Sequence, residues 1–264
     1  MKLNRHQLIA TVTTILFVGV FYFGCETKDP KMKLAEKSRV ANFEVTGIEN
    51  IRKQAFDSLD VSQKSYFDGL HLQLKNSFDD STKIEAMKSI SGFWYSLGEY
   101  ALAGEQAEEI ASIQEDEVSW SIAGTTYAVG IQNGKSENRR TFNQSKAVNA
   151  FEQAVSINPD NVTHKLNLAI VYAENPPQDQ PMKGILMLLD LDKQYPDSPS
   201  VLFQLARFGM QTNQFEKAIG RLERVLAIEP NSVKAHCLIA DAYQKTNSTE
   251  KAAFHLKACQ SGMK

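Results

Sequence analysis

Apolar residues recur at i, i+3, i+4 and i+7 through the second half of the chain, as in FEKAIGRLERVLAIEP (Phe215–Pro230). That period gathers them on one face of an α-helix, and the closing proline ends it because it has no N–H to donate and its ring clashes with the turn before it. The pattern returns at a fixed interval. Gly184, Ala218 and Ala252 are spaced by 34, and so are Leu188, Leu222 and Leu256, and Pro196 and Pro230. The pairs Leu205–Ala206 and Ile239–Ala240 keep the same interval. Two helices of about 14 residues with a short turn fill such a unit, so the spacing predicts stacked helix pairs.

The pattern continues upstream with additions. Leu168, Ala169 and Tyr172 match a first helix, and Gly184, Leu188 and Pro196 a second; three extra residues fall in the Asn175–Pro181 turn. Before them, Trp120, Gly124 and Tyr127 match a first helix, and Ala147, Phe151, Ala154 and Pro159 a second. About eleven extra residues lie between, and an inserted loop is expected there, over Ile131–Asn143. The earliest match, Ile84–Asp116, carries Trp94, Gly98, Tyr100 and Ala103. Five units result, near 84–117, 118–159, 162–196, 199–230 and 233–264, making an array over 81–264. IRKQAFDSL and SYFDGLHLQLKNSF predict a further helical pair within 46–80. Gln260, Gly262 and Lys264 stand where the fourth unit has Leu226, Ile228 and Pro230, which predicts a polar cap and no further C-terminal domain.

These residues resemble the tetratricopeptide repeat family, with small residues where the paired helices cross (Ala206 with Ala218, Ala240 with Ala252), a large residue late in the first helix (Tyr172, Tyr243) and a proline closing the second. Gly209 departs from the large place in the fourth unit. The resemblance implies an all-α, right-handed α-solenoid whose first helices line a concave groove for extended peptides or helices. Carried onto this chain, the inward set is Leu166, Asn167 and Ile170, then Phe203, Arg207 and Met210, then Lys234, Asp241 and Gln244. Phe203, Arg207 and Met210 are expected to stand clear of the core, which Leu202, Leu205, Ala206, Leu222 and Val225 can supply. The family's chaperone-tail binders hold a terminal carboxylate with lysines and asparagines. Lys88 fits that pattern, but Gly92 and Ile122 stand where asparagines are required, so this clamp is not expected.

The N-terminus changes the picture. No residue from Gln7 to Cys25 is charged, Lys2 and Arg5 precede the stretch, and Glu26, Lys28 and Asp29 come after it. Nineteen uncharged residues suffice for a membrane-spanning helix, and the layout also fits a secretory signal. Cys25 after Gly24 resembles the acylated cysteine of a bacterial lipoprotein, although Tyr22 departs from the lipobox. Residues 1–25 are therefore read as a transmembrane anchor or a lipoprotein-type signal, and 26–45 as a polar linker. Lys28, Lys31, Lys33, Lys37 and Arg39 argue for a cytoplasmic body, the signal-like layout for export. The extracytoplasmic, periplasmic side is the expected one.

Composition removes other classes. With 29 Lys+Arg against 31 Asp+Glu there is no basic excess for nucleic acid. Three cysteines (Cys25, Cys237, Cys259) make no disulfide framework or zinc spacing, and Cys237 and Cys259 are expected as half-buried apolar groups. His6, His71, His164, His236 and His255 have no partners at ligand spacing, so packing or surface roles are expected. Glu108–Glu109 and Asp79–Asp80 are expected as solvated surface. Gly130-Ile-Gln-Asn-Gly134-Lys135-Ser136 resembles a phosphate loop one residue short, and a turn at Asn133–Gly134 is expected in its place. Lys135, Arg139, Arg140 and Phe142 remain candidates for a binding face on the inserted stretch. The expectation is a membrane-tethered, protein-binding scaffold or assembly factor without catalysis or cofactor. A tethered chaperone-like helper is a variant; a structural spacer and a nucleotide-dependent enzyme or regulator using Gly130–Ser136 are the rivals.

Overall fold

The computed structural model describes residues 47–262, within which all regular structure is helical. The chain divides into two compact units at Asn50; of the first only residues 47–50 are described, and the second, from Ile51 onward, holds the helical array. The helices are α1 (Ile48–Asp57), α2 (Val61–Lys75), α3 (Asp80–Ser96), α4 (Tyr100–Gln114), α5 (Glu117–Gln132), α6 (Glu137–Ile157), α7 (Val162–Glu174), α8 (Lys183–Gln194), α9 (Pro199–Gln211), α10 (Phe215–Ile228), α11 (Val233–Lys245) and α12 (Thr249–Gly262). The anchor, the linker and Cys25 lie outside the described residues. Among the described residues no helix is long and apolar enough to cross a membrane.

Local chemistry sets the helix ends. Asp60, Asp79, Asp116, Ser136 and Asn161 each accept a hydrogen bond from a first-turn backbone N–H, satisfying a donor the helix cannot. Asp60 and Gln63 complete a reciprocal capping box. Asp79–Asp80 is thus a helix start, and Thr82 holds the Asp79 carboxyl below its usual range. Within three pairs the turn has one form. Gly98, Asn213 and Asn247 take φ of 72°, 59° and 58°, and the next N–H reaches back five residues: Glu99 to Trp94, Gln214 to Gly209, Ser248 to Tyr243. This Schellman-type closure favours glycine or asparagine, the residues present.

Helices pack on their neighbours in sequence from α2 to α12, with α4–α6, α5–α7 and α9–α11 also touching. Each apolar cluster accordingly spans a pair and the helix beyond it. Tyr127, Phe151 and Leu168 join α5, α6 and α7; Leu166, Leu188 and Leu205 join α7, α8 and α9; Leu202, Leu222 and Ile239 join α9, α10 and α11. Ala206, Ala218, Ala240 and Ala252 are buried at the crossings. At Gly184 a Cβ would lie 2.2 Å from the Ala173 nitrogen, so the α7–α8 approach requires its absence. A polar rung recurs between pairs: Tyr127, Tyr172 and Tyr243 donate their hydroxyls to Glu108, Glu152 and Glu223. At α9 both partners change together: Gly209 replaces the tyrosine, and Leu189, twenty residues earlier, packs on the apolar cluster.

The structure corrects four expectations. Most of Ile131–Asn143 is helix: Ile131 and Gln132 finish α5, Glu137 onward belongs to α6, and only Asn133–Ser136 lies between. The extra residues lengthen the pair because they have partners. Ser136 caps α6, Arg140 pairs with Glu137, and Phe142 packs on the Tyr127 cluster. Second, Cys237 and Cys259 are joined in a disulfide with Cα atoms 4.9 Å apart, since the paired α11 and α12 bring them together across 22 residues. Third, Glu108 is engaged by Tyr127 and Lys146 instead of being solvated. Fourth, Phe203 and Met210 do not stand clear of the core: they pack on the Leu202–Leu222 cluster, because they flank Leu202 and Ala206 on the same helix.

Candidate functional site

α5 reads EVSWSIAGTTYAVGIQ and is apolar on two faces. Ala123, Gly124, Tyr127 and Ile131 face the core. Val118, Ile122, Thr125 and Val129, at i, i+4, i+7 and i+11, form a second stripe, on which Val118 and Ile122 are 57% and 55% exposed. Tyr95 of α3 and His164 of α7 flank it, enclosing a concavity of about 340 Å³. A second, of about 150 Å³, shares Thr125 and Val129 and continues to Asn167, Ile170 and Glu174 of α7. Together they make one trough on the first helices α3, α5 and α7. A third dip, of about 450 Å³, is bounded by α2 alone.

The trough carries little free charge. Glu174 is paired with Arg207 at 2.7 Å and accepts from Gln132 at 3.4 Å. Thr125 and Thr126 donate to the carbonyls of Ser121 and Ile122, each at 2.8 Å, leaving their oxygens to accept. His164 is 4% exposed; its Nε2 lies 3.6 Å from Glu117 Oε1, and neither ring nitrogen makes a hydrogen bond. An apolar, open surface with acceptor oxygens can hold another chain's side chains and N–H groups. Among the described residues no group of three or more His, Cys, Asp or Glu is placed to hold a metal ion.

The candidate residues fall into separate groups. Asn167 and Ile170 line the trough. Leu166 is buried in the α7–α9 cluster and has no face left for a ligand. Arg207 is occupied by Glu174 and Gln204 and lies over the Phe208 ring, 4.7 Å from its centre. Lys234, Asp241 and Gln244 are exposed on α11, away from both concavities. Tyr95, Val118, Ile122, Thr125 and Val129 were missing from the inward set. The signal that finds them is the two-faced apolar pattern of α5: one face suffices for a core, and the second needs another explanation.

The basic residues near Gly134 have a different task. Glu99, 4% exposed at the start of α4, receives both Lys135 and Arg139, and the Arg139 side chain is 14% exposed. Arg139 also reaches Gln54 of α1. The cluster ties the α3–α4 turn to the α5–α6 turn and to α1, and leaves these cations spoken for. Gly130 lies inside α5, where a Cβ would meet the Asn143 amide at 2.4 Å. A phosphate loop needs free backbone amides across that stretch, and helix occupies its first part.

No family model matches the chain. Solved structures of MamA are similar at low identity. One MamA crystal structure shares 14% identity over 68% of this chain and 91% of its own, with a TM-score of 0.46. MamA MSR-1 shares 20% over 68% and 96%, with a TM-score of 0.42. The MamA RS-1 double mutant shares 16% over 70% and 96%, with a TM-score of 0.47. The architecture rests on this chain's own helices and not on that likeness.

Proposed function

We propose that this is a membrane-tethered tetratricopeptide-type scaffold that acts by binding protein or peptide partners in a superhelical groove and catalyses no reaction. The observation that carries the reading is the trough on α3, α5 and α7, where Val118 and Ile122 are exposed beside the unbonded ring of His164 and Asn167 lines the continuation past Thr125 and Val129. The core does not need these apolar side chains, and water is a poor environment for them. A segment with aliphatic side chains and little charge suits the trough, since an ionised group entering it would find no opposite charge that is not already paired.

Tethering rests on the uncharged stretch Gln7–Cys25, and the extracytoplasmic side on the Cys237–Cys259 disulfide, because such bonds persist in oxidising compartments and are rare in reducing ones. The test uses the full chain in its native membrane, with a photo-crosslinking side chain at Ile122 and, as the control, at Asp241. Discrete adducts from position 122 and none from 241, lost on Thr125→Arg, are expected. Equal or absent adducts at the two positions would leave the purely structural spacer.

A further inference from the structure

The last hairpin holds a pair of imidazoles in direct contact. His236 of α11 and His255 of α12 approach with Nδ1 atoms 2.9 Å apart, and His236 Nε2 lies 3.0 Å from the Pro230 carbonyl. The ring centres are 5.1 Å apart, so the two nitrogens lie almost on the line that joins them. A metal ion bound by both would sit about 2.0–2.1 Å from each, off that line. The collinear arrangement leaves no room for one, and it is the geometry of an N–H···N hydrogen bond.

The bond fixes where the protons are. A carbonyl only accepts, so His236 Nε2 carries a proton and, in the neutral ring, His236 Nδ1 carries none. His255 Nδ1 must then donate to it, and His255 Nε2 is left bare. One added proton can go to that bare nitrogen with every hydrogen bond intact. A second must go to His236 Nδ1, where it would face the His255 N–H donor, and the bond cannot survive. Three elements surround the pair. Tyr243 of α11 stacks on His255, Lys251 of α12 sits over the Tyr243 ring, and Glu223 of α10 accepts the Tyr243 hydroxyl. Burial holds His255 below its ordinary value, with His236 and Lys251 acting in the same direction and Glu223 against it. The unfolded chain therefore binds protons first as pH falls, and this contribution to stability is complete above about pH 6.5 and declines below it.

We propose that the His236–His255 bond makes the α11–α12 hairpin an acid-sensitive latch that tolerates one proton and parts on the second, while the Cys237–Cys259 disulfide keeps the two helices joined when it opens. Acidification loosens the packing of this hairpin on α10 without releasing α12. The inference is independent of the trough and of what binds there.

Hydrogen exchange on the full chain in detergent, disulfide intact, at about pH 7.5 and about pH 5 and corrected for intrinsic rates, tests it. Protection of α11 and α12 should fall severalfold, with α5 and α6 unchanged. His255→Gln, whose amide can still donate to His236 but does not titrate, should remove most of that fall. A fall of equal size in His255→Gln, or none in the parent, overturns the proposal. Nitrogen NMR of the parent imidazoles provides a readout that needs no variant. At about pH 7.5 it should show the proton on Nδ1 of His255 and on Nε2 of His236, and any other assignment overturns the latch.

Discussion

Where α4 meets α5, Gly104 lets the Tyr127 ring lie against bare backbone: a Cβ there would be 2.5 Å from the ring. Where α5 meets α6, Gly124 does the same for Phe151, at 2.8 Å. Across α9–α10 and α11–α12 the crossings are made by Ala206 with Ala218 and Ala240 with Ala252, and the outermost pair adds a disulfide. The first region is held by large rings in glycine notches and by the buried Glu99 cluster, the second by small residues at a regular 34-residue spacing. The difference bears on function. α5 keeps one apolar face for the core and exposes another, and its neighbours lock it from three sides. The first helices α9 and α11 have no second apolar stripe, and their outer positions include Gln204, Lys234, Asp241 and Gln244.

Removing Glu99 should separate the two regions most strongly. Glu99→Ala leaves Arg139 largely buried with no carboxylate, and losing one partner of a buried pair costs about 3–5 kcal/mol. The counterpart in the second region, Arg224→Ala, removes a half-exposed pair with Asp192 and should cost under about 1 kcal/mol. Denaturant unfolding of both variants decides the matter; similar losses would mean that the cluster does not hold the turns. Next in size is reduction of the disulfide, which should cost about 3 kcal/mol. Hydrogen exchange should place that loss in α11 and α12, because the helices contact only their near neighbours. Loss spread back to α3–α6 would contradict that locality.

Glycines give effects of opposite sign. Gly104→Ala drives a methyl into Tyr127 and should cost about 1–3 kcal/mol, as should Ala218→Leu at its closed crossing. Gly220 on α10 has nothing within 4 Å of a Cβ, and Gly220→Ala should gain up to about 1 kcal/mol from helix propensity. Thermal melts read all three. A stabilising Gly104→Ala would show that the notch is not closed.

Helix pairing was legible because it is written in the 3.6-residue period and in residues, such as Ala218 and Pro230, that recur on a strict interval. What escaped was whatever departs from the interval. Eleven added residues look like a loop when only the repeat is counted, yet Glu137, Arg139 and Phe142 each carry a partner that makes helix the better state. The partner of Glu137 is local, but Glu99, which holds Arg139, lies 40 residues away, and Phe142 packs on Tyr127 of the preceding helix, so neither is within reach of a local pattern. The disulfide was missed for a related reason: two cysteines 22 residues apart meet only once the hairpin around them is built. As for the trough, the repeat register located Asn167 and Ile170 but weighted α7, α9 and α11 alike and left out α3 and α5. Only the three-dimensional neighbours of Leu166, Phe203 and Arg207 reveal that these are already engaged.

The smallest test compares two copies of one device. Tyr127 and Tyr243 both donate to a glutamate on the preceding pair, yet Tyr127 is fully buried and its acceptor Glu108 also holds Lys146. Tyr243 donates to Glu223, which is exposed. Tyr127→Phe leaves a carboxylate short of a donor where water is scarce and should cost about 1–2 kcal/mol; Tyr243→Phe, with water able to replace the hydroxyl, should cost about 0.5 kcal/mol. Alkali offers a check without mutation. Burial raises both phenols, with the neighbouring glutamate adding to it; Tyr243 is pushed up to about 12 and Tyr127 is raised further. The unfolded chain loses its phenolic protons first, near pH 10, so the stability held by these hydroxyls is present below that pH and declines above it. Tyr127→Phe should therefore flatten the alkaline decline more than Tyr243→Phe. Equal slopes in the two variants would show that the glycine-notched region is no drier than the alanine-crossed one.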